Sequence, residues 1–131
     1  MEINRSEIVE EVRAKFASYE SSLMANDVHA LDGFFWDDGM VVRYGDAENL
    51  YGAEAIAAYR RSCAPPAVRQ LRHTVLATFG QDFAVVSTEY GMKGSPSLGR
   101  QSQTWARLSD GWRIVAAHVS LIRSVDGELS R

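Results

Sequence analysis

The second half of the chain carries four long stretches of strand-forming residues, and no other feature restricts the fold as strongly. These stretches span residues 68–79, 83–92, 99–108 and 112–122. Gly80-Gln81-Asp82 and Ser109-Asp110-Gly111 have the composition of hairpin turns, and a longer polar loop joins the middle two stretches. Strands joined in sequence as hairpins form a strongly twisted antiparallel sheet, so the rest of the chain must cover one of its faces.

The first half has the periodicity of helices instead. Between residues 5 and 25, apolar side chains recur every three or four positions and form one stripe: Ile8, Val12, Phe16, Tyr19 and Leu23. Asn4, with Glu7 three residues later, is typical of a capping box at a helix start. A short second helix begins at Val28, and a third helix over residues 53–63 ends before Pro65.

Helices followed by hairpin-connected strands predict one α+β domain over residues 1–131. With 131 residues, of which 46% are hydrophobic, the chain has apolar material for one core but not for two. We expect three N-terminal helices to pack on a curved antiparallel sheet and to enclose one pocket. The polar residues 123–131 are expected to form a loose C-terminal tail.

Charge and composition argue against several classes of function. The formal net charge is -3, from 14 basic and 17 acidic residues, and the longest basic cluster is Arg60-Arg61. Nucleic-acid binding is therefore not expected, because neutralising phosphates needs a concentrated positive face. No apolar run reaches the length of a membrane span, and the charged start lacks the apolar segment of a signal peptide. We therefore expect a cytoplasmic protein.

Cysteine and histidine usage gives no support for a disulfide or a metal centre. Cys63 is the single cysteine, so it cannot form an internal disulfide, and we expect it to be a buried structural residue. His29, His73 and His118 are scattered without the close spacing of metal ligands. The sequence contains no glycine-rich phosphate loop, nucleophile elbow or dinucleotide fingerprint. These features favour cofactor-free chemistry or simple binding.

Tyr19 and Arg43 are polar residues on faces that the pattern predicts to be buried, and such groups need a partner or a ligand. Tyr19 is either a core tyrosine bonded to a backbone carbonyl or a phenol that points into the pocket as a proton donor. Arg43 alternates with Val42 and Tyr44 in a short predicted strand. It reaches solvent, pairs with a carboxylate such as Glu89, or holds a ligand carboxylate through its forked guanidinium.

Several residues of the last three strands are candidates for orienting a ligand. Simple alternation along the final strand places His118 and Ser120 on the face that carries Trp112. A satisfied core histidine is the alternative to a ligand-binding one. Gln103 and Glu89 occupy comparable positions on the two preceding strands, where each either contacts a polar ligand or faces solvent. We take these four as candidate substrate-binding residues.

Beyond these patterns, a set of short segments resembles a known family. The segments cover nearly the whole chain: Phe35-Trp36-Asp37-Asp38, Val42-Arg43-Tyr44-Gly45, Glu48-Asn49-Leu50-Tyr51-Gly52, Phe79-Gly80-Gln81-Asp82-Phe83-Ala84, Gly94-Ser95-Pro96, Leu98-Gly99-Arg100-Gln101 and the final strand from Gly111 to Ser120. The chain resembles the NTF2-like superfamily of cone-shaped α+β domains. More narrowly, it resembles the SnoaL-like family that contains the oxalurate-catabolism protein HpxZ and the cyanuric-acid pathway protein AtzH. The superfamily fold alone implies little about function, because it hosts enzymes, binders and scaffolds.

The narrower resemblance implies a homodimer encoded beside amidases of urea-derivative catabolism. For the AtzH-like branch it implies decarboxylation of 1,3-dicarboxyurea to allophanate. By motif, the family's catalytic tyrosine and arginine fall on Tyr19 in Ala17-Ser18-Tyr19-Glu20 and on Arg43 in Val42-Arg43-Tyr44-Gly45. Both branches share these motifs, so the motifs do not fix the substrate.

The implied chemistry needs an anion-binding group and a proton donor. An N-carboxylated urea loses CO2 once its nitrogen is protonated, because a neutral amine leaves more easily than a nitrogen anion. Arg43 would hold a substrate carboxylate, and Tyr19 would supply the proton as a general acid. The alternative is a non-catalytic dimer that binds a small dicarboxylate or associates with an amidase partner.

Overall fold

The computed structural model describes residues 1–123, which form three helices and six strands. In chain order the elements are α1 (Ser6–Met24), α2 (Val28–Phe34), β1 (Val42–Tyr44), β2 (Asn49–Tyr51), α3 (Ala53–Ser62), β3 (Arg69–Phe79), β4 (Phe83–Met92), β5 (Leu98–Leu108) and β6 (Gly111–Ile122). Within these residues no helix is both long and apolar enough to cross a membrane. The expected α+β arrangement of helices on a curved sheet is confirmed.

The six strands form one sheet in the order β2-β1-β6-β5-β4-β3. All neighbouring pairs are antiparallel except β1 and β6, which run parallel. The prediction of a wholly antiparallel sheet is therefore wrong at this one pair. The connection from β1 to β6 contains about half of the chain, and a long connection of this kind permits parallel pairing. The sequence predicts a loop where β2 forms, and β2 is held there by pairing with β1.

The predicted apolar stripe of α1 is buried along its whole length. It consists of Ile8, Val12, Phe16, Tyr19 and Leu23. These side chains share one core with Leu31 of α2, Ile56 of α3, and Trp105 and Ile114 of the sheet. Burying a side chain of this size contributes about 1.5–3 kcal/mol to stability, so the stripe fixes α1 on the sheet.

The start of α1 differs from the predicted capping box. Arg5 occupies the N-cap position without a side-chain cap, and Glu7 accepts a hydrogen bond from Arg5 at 2.6 Å. Asn4 has a positive φ of 59°, and its Oδ1 accepts a hydrogen bond from the Thr78 backbone N–H at 2.8 Å. Asn4 therefore ties the beginning of the helix to β3 instead of capping the helix.

Strand register defines rows of side chains on the inner, helix-covered face of the sheet, because residues paired across strands share a face. The first row, from β1 to β3, is Arg43, Ala117, Gln103, Val86 and Leu76. The second row contains Val119, Gln101 and Thr88. Ala117 and Gln103 are buried, which identifies this face as the inner one.

A β-bulge in β6 changes which of its residues face inward. Trp105 pairs with Ile114, whereas the preceding residue Thr104 pairs with Ala116. Val115 therefore has no partner on β5. One extra residue reverses the alternation, because side chains along a strand alternate with a period of two. Every later position of β6 thus faces the side opposite to the one that simple alternation predicts.

The structure describes only the first residue of the predicted tail. Arg123 follows β6, is exposed and forms an ion pair with Asp46. The other positions of that predicted tail, residues 124–131, lie outside the described residues.

Candidate functional site

Arg43 extends from β1 into the inner face, where Glu48 holds its guanidinium. Arg43 Nη1 donates a hydrogen bond to Glu48 Oε1 at 2.9 Å, and the Arg43 side chain is 12% exposed. The Tyr59 ring of α3 has its centre 5.4 Å from Arg43 Cζ, within the range of a cation–π contact. Glu48 engages Nη1, so the remaining N–H groups of the fork are suited to a second carboxylate.

The groups around Arg43 have defined charge states at neutral pH. Burial works most strongly against the charge of Glu48, but hydrogen bonds from Arg43 and from the Ala47 backbone N–H hold the pKa of Glu48 below its ordinary value. Hydrogen bonding with Cys63, burial and the nearby Glu48 raise the pKa of Tyr59 to about 12. The site therefore contains a carboxylate, a guanidinium and a protonated phenol.

A second arginine lies on the inner face at the start of β3. Arg69 Nε donates to Glu20 Oε2 at 3.2 Å, and its Nη2 donates to Glu20 Oε1, so the ion pair is bidentate. The same Nη2 donates to Gln101 Oε1 at 3.1 Å. The Arg69 side chain is 8% exposed, and its Cζ lies 4.3 Å from the centre of the Tyr90 ring. Glu20, Gln101 and the Tyr90 ring therefore hold Arg69, whereas Arg43 is held by Glu48 at one nitrogen and by the Tyr59 ring.

Tyr90 lies against Arg69, and the positive charges of both Arg69 and Arg43 act on its hydroxyl group. Burial raises the pKa of Tyr90, and the positive charges of Arg69 and Arg43 oppose this increase. The Tyr90 ring lies over Gly99, where an added Cβ would come 2.1 Å from the ring. We call the following set the inner polar cluster: Arg43, Glu48, Tyr59, Glu20, Arg69, Tyr90 and Gln101.

Tyr19 is buried in the apolar core, with 3% of its surface exposed. Its ring packs edge-on against Phe34 at 5.6 Å, and Phe34 packs in the same way against Trp105 at 6.2 Å. Trp105 Nε1 donates to Gln103 Oε1 at 3.1 Å, and Gln103 shares the inner row of Arg43. Ala117 separates Gln103 from Arg43 in that row, and no direct hydrogen bond joins Tyr19 to Arg43 within residues 1–123.

His118 and Ser120 lie on the outer face of the sheet, contrary to the sequence prediction. The unpaired Val115 reverses the alternation before both of them. His118 is exposed, and its ring lies 5.7 Å from the ring of Tyr44. Neither residue can reach the inner row of Arg43, because the sheet itself lies between them.

Glu89 also faces outward and is not the partner of Arg43. It alternates with the buried Tyr90 and pairs in register with Arg100. The carboxylate that pairs with Arg43 comes from Glu48, in the loop just before β2. Of the four candidate substrate-binding residues, Gln103 is therefore the one that the structure places on the inner face.

The family of this chain follows from its sequence as a whole. The family model described as AtzH-like matches residues 1–125. The chain belongs to the AtzH-like family. A cystatin-like fold protein from Burkholderia xenovorans is 55% identical, with a TM-score of 0.91 over 94% of this chain and 98% of that chain. A protein of unknown function from Pectobacterium atrosepticum is 50% identical, with a TM-score of 0.90 over 92% and 94% of the two chains.

More distant structures agree on the fold. An NTF2-like protein from Pseudomonas putida is 17% identical, with a TM-score of 0.76 over 97% of this chain and 94% of that chain. At this identity the likeness shows the fold alone, and it confirms the predicted NTF2-like architecture. Among curated proteins none matches the chain.

Several members of the inner polar cluster of this AtzH-like chain are not among the site residues predicted from the sequence. Glu20 does leave a signal, since it follows Phe16 by four residues and so borders the buried stripe of α1. Gln101 also leaves one, because it alternates with Gln103 on β5. Arg69 begins an edge strand and is far from Glu20 in sequence, so their pairing depends on the tertiary fold.

Cys63 is half-buried rather than fully buried as predicted. It ends α3 at the C-cap position, where its backbone N–H donates to the Arg60 carbonyl oxygen at 3.4 Å. Across the described part of the chain, no three His, Cys, Asp or Glu side chains are grouped so that they could hold a metal ion.

Two surface depressions differ in their relation to the cluster. A groove of about 520 Å³ between α2 and α3 is lined by Asp32 and Arg61, which pair with each other at 2.8 Å, and it shares no residue with the cluster. A second depression of about 480 Å³ lies where β3 begins and β4 ends. It contains Arg69, Arg72 and Lys93, and none of its lining residues is acidic. We therefore place the candidate site at the inner polar cluster, with this basic depression beside it.

Proposed function

We propose that this AtzH-like chain is a cofactor-free decarboxylase of a small N-carboxylated urea, such as 1,3-dicarboxyurea, which it converts to allophanate. The observation that carries the proposal is Arg43, a largely buried guanidinium on the inner face whose fork is engaged by Glu48 at one nitrogen. A buried arginine with donors to spare suits a small ligand carboxylate, because it supplies both charge and orientation. The family membership supports the same reading.

In the proposed reaction, a proton is added to the nitrogen that carries the carboxylate to be lost. The C–N bond then breaks, its electron pair remains on nitrogen, and the carboxylate leaves as CO2. Arg43 binds the carboxylate that is retained, because a cation on the departing group would oppose the loss of its negative charge. Tyr19 donates the proton and recovers one from water. Positioning together with one general acid supplies on the order of 10²–10⁴-fold acceleration, which suits an intrinsically labile substrate.

The charge around the site supports an anionic ligand. The depression beside Arg69 is lined by three cations, so an anion near it is drawn toward the inner polar cluster. Inside the cluster, Arg43 and Arg69 are each balanced by a carboxylate of the protein. Because these charges cancel, the attraction of a bound anion depends on how the two guanidinium groups are oriented and not on an excess of positive charge.

The test is the fate of freshly generated 1,3-dicarboxyurea. We expect wild-type protein to release CO2 and form allophanate faster than a control without protein. Tyr19→Phe keeps the buried ring and removes the hydroxyl, so it should slow the reaction roughly 100-fold while the melting temperature stays close to wild type. Full activity in a Tyr19→Phe, Arg43→Ala double variant would rule the scheme out.

A second candidate function is ligand binding without turnover, alone or as an accessory to an amidase. The observation that favours it is that both inner arginines already have carboxylate partners. This candidate predicts saturable thermal stabilisation by a stable dicarboxylate such as glutarate, with CO2 release no faster than the control. A pure scaffold predicts no effect of glutarate and a measurable complex with the amidase.

We also propose that the chain forms a homodimer through the outer face of the sheet. Val75, Phe83 and Val85 lie on β3 and β4 and are 64%, 56% and 39% exposed. These side chains share the outer face of the sheet and form an apolar surface of the kind that a second copy covers symmetrically. Sedimentation should give twice the chain mass for wild type and the single-chain mass for Phe83→Lys. A monomeric wild type at micromolar concentration would contradict this proposal.

A further inference from the structure

Gln101 carries a buried amide nitrogen that has no hydrogen-bond partner. The residue is 4% exposed, and its Nε2 meets no acceptor in the described part of the chain. Buried donors in folded proteins are nearly always satisfied, because leaving one unpaired costs free energy. The inner polar cluster therefore contains one donor that its own residues do not satisfy.

Arg69 fixes the orientation of this amide. A guanidinium donates and never accepts, so the oxygen of Gln101 must face Arg69, in agreement with the 3.1 Å contact from Arg69 Nη2 to Gln101 Oε1. Glu20 holds Arg69 in a bidentate ion pair, so the guanidinium cannot turn away. Rotating the amide would place two donors face to face. The NH2 group is therefore committed to the side away from Arg69.

Gln101 lies one inner row away from Arg43. Arg43 and Gln103 are in the same row, two strands apart, and Gln101 is two residues along β5 from Gln103. With about 4.8 Å between strands and 3.4 Å per residue, the Cα atoms of Arg43 and Gln101 lie about 12 Å apart. The intervening inner residue in the Arg43 row is Ala117, whose side chain is small. A ligand that contacts both side chains must therefore be several atoms long.

We propose that Gln101 is a specificity-determining residue that donates a hydrogen bond from Nε2 to the carbonyl oxygen of a ligand whose carboxylate is bound by Arg43. This rests on the carboxylated-urea function proposed above and adds the recognition of the central ureido carbonyl. A neutral amide donor suits a neutral carbonyl, whereas a carboxylate is better matched by an arginine. The carbonyl also supplies the acceptor that the protein itself does not provide.

Two dicarboxylates distinguish the contact with Gln101 from the contact with Arg43. 3-Oxoglutarate has the skeleton of 1,3-dicarboxyurea with each N–H replaced by CH2, and glutarate differs from it only in lacking the central carbonyl oxygen. Affinity for each is measured by titration calorimetry within minutes of dissolving the oxo acid. Wild type should bind 3-oxoglutarate about tenfold more tightly than glutarate, the value of one well-formed hydrogen bond to a buried donor.

The variant Gln101→Leu removes the donor and should abolish the preference, so that both ligands bind like glutarate. Gln101→Met, which is unbranched and of similar length, is the second variant if the leucine fails to fold. The matched control is Thr78→Val, because Thr78 Oγ1 is the other buried side-chain polar atom without a hydrogen-bond partner in the described chain. Thr78 lies away from the cluster, since its backbone N–H donates to Asn4 Oδ1 at the start of α1. This control should keep the tenfold preference.

The outcomes separate this inference from the proposed function. If wild type binds both ligands equally, or if Gln101→Leu keeps the preference, the role of Gln101 is overturned while dicarboxylate binding stands. If Arg43→Ala loses both ligands and Gln101→Leu loses the preference alone, both proposals are supported. If wild type binds neither ligand, the proposed function fails and the role of Gln101 fails with it.

Discussion

The carboxylate of Glu48 lies directly over Gly45, so that a Cβ built on Gly45 would come 1.7 Å from Glu48 Oε1. The same oxygen accepts the hydrogen bond from Arg43 Nη1 at 2.9 Å. The glycine thus leaves the space through which Glu48 reaches Arg43 and sets the direction of its guanidinium. The three residues are close in sequence, since Arg43 lies in β1 and both Gly45 and Glu48 lie in the tight loop that joins β1 to β2.

The variant Gly45→Ala should lower catalytic activity strongly while changing the free energy of unfolding little. The added methyl group meets the end of a flexible side chain, so we expect less than about 1 kcal/mol loss in the free energy of unfolding. Glu48 must move, however, and Arg43 loses its fixed orientation. We expect kcat/KM for 1,3-dicarboxyurea to fall about tenfold or more. Wild-type kcat/KM in a folded Gly45→Ala protein would show that the contact between Arg43 and Glu48 has no part in the reaction.

The ion pair between Arg43 and Glu48 should make the free energy of unfolding depend on pH. The pKa of Glu48 in the folded protein lies below its ordinary value of 4.5. A group whose pKa is lowered on folding stabilises the protein above its unfolded pKa, and this contribution is lost as the pH falls through the folded pKa. We therefore expect urea denaturation to show wild type more stable than Glu48→Gln at pH 7. The difference should shrink progressively below pH 4.5.

A constant difference between the two proteins from pH 7 to pH 3 would contradict this assignment. Arg5 to Glu7 offers a comparison, because this ion pair lies at the exposed start of α1. Glu7→Gln should change stability little at any pH, since exposed ion pairs contribute little.

The close approach of Tyr90 to Gly99 predicts a change that acts on stability instead. A Cβ at Gly99 would meet a buried aromatic ring, which cannot yield as a flexible carboxylate can. We expect Gly99→Ala to lower the free energy of unfolding by about 1–3 kcal/mol, as is usual for overpacking. The matched control is Gly33→Ala in α2, where an added Cβ meets nothing within 4 Å. That change should be neutral or stabilising by up to about 1 kcal/mol. Equal effects of the two changes in a denaturation experiment would refute the packing argument.

The long strands and the apolar stripe of α1 could be predicted because each depends on local periodicity. The register of β6 could not, because the bulge at Val115 reflects how β6 fits β5 and leaves no mark in the alternation of residues. This single extra residue turns His118 and Ser120 outward. The inward position of Arg43 was predictable from alternation in a three-residue strand without a bulge.

The partners of Arg43 and Arg69 could not be predicted either, because they do not follow from local periodicity. Glu48 is five residues from Arg43, but a prediction based on strand faces points to Glu89 instead, since the loop before β2 has no periodicity to read. Glu20 and Arg69 are separated by 49 positions, and Gln101 by 32 more. Such contacts arise when α1, β3 and β5 are brought together by the core, so they follow from the fold and not from any local pattern.

The most direct test of the account compares the inner and outer faces of the sheet in one assay. CO2 release from freshly generated 1,3-dicarboxyurea is measured side by side for wild type, Arg43→Ala and His118→Ala, each checked for folding by circular dichroism. We predict that Arg43→Ala falls roughly 100-fold or more, because the anion site is lost, while His118→Ala keeps the wild-type rate. Retained activity in Arg43→Ala, or lost activity in a folded His118→Ala, would contradict the placement of the site at the inner polar cluster.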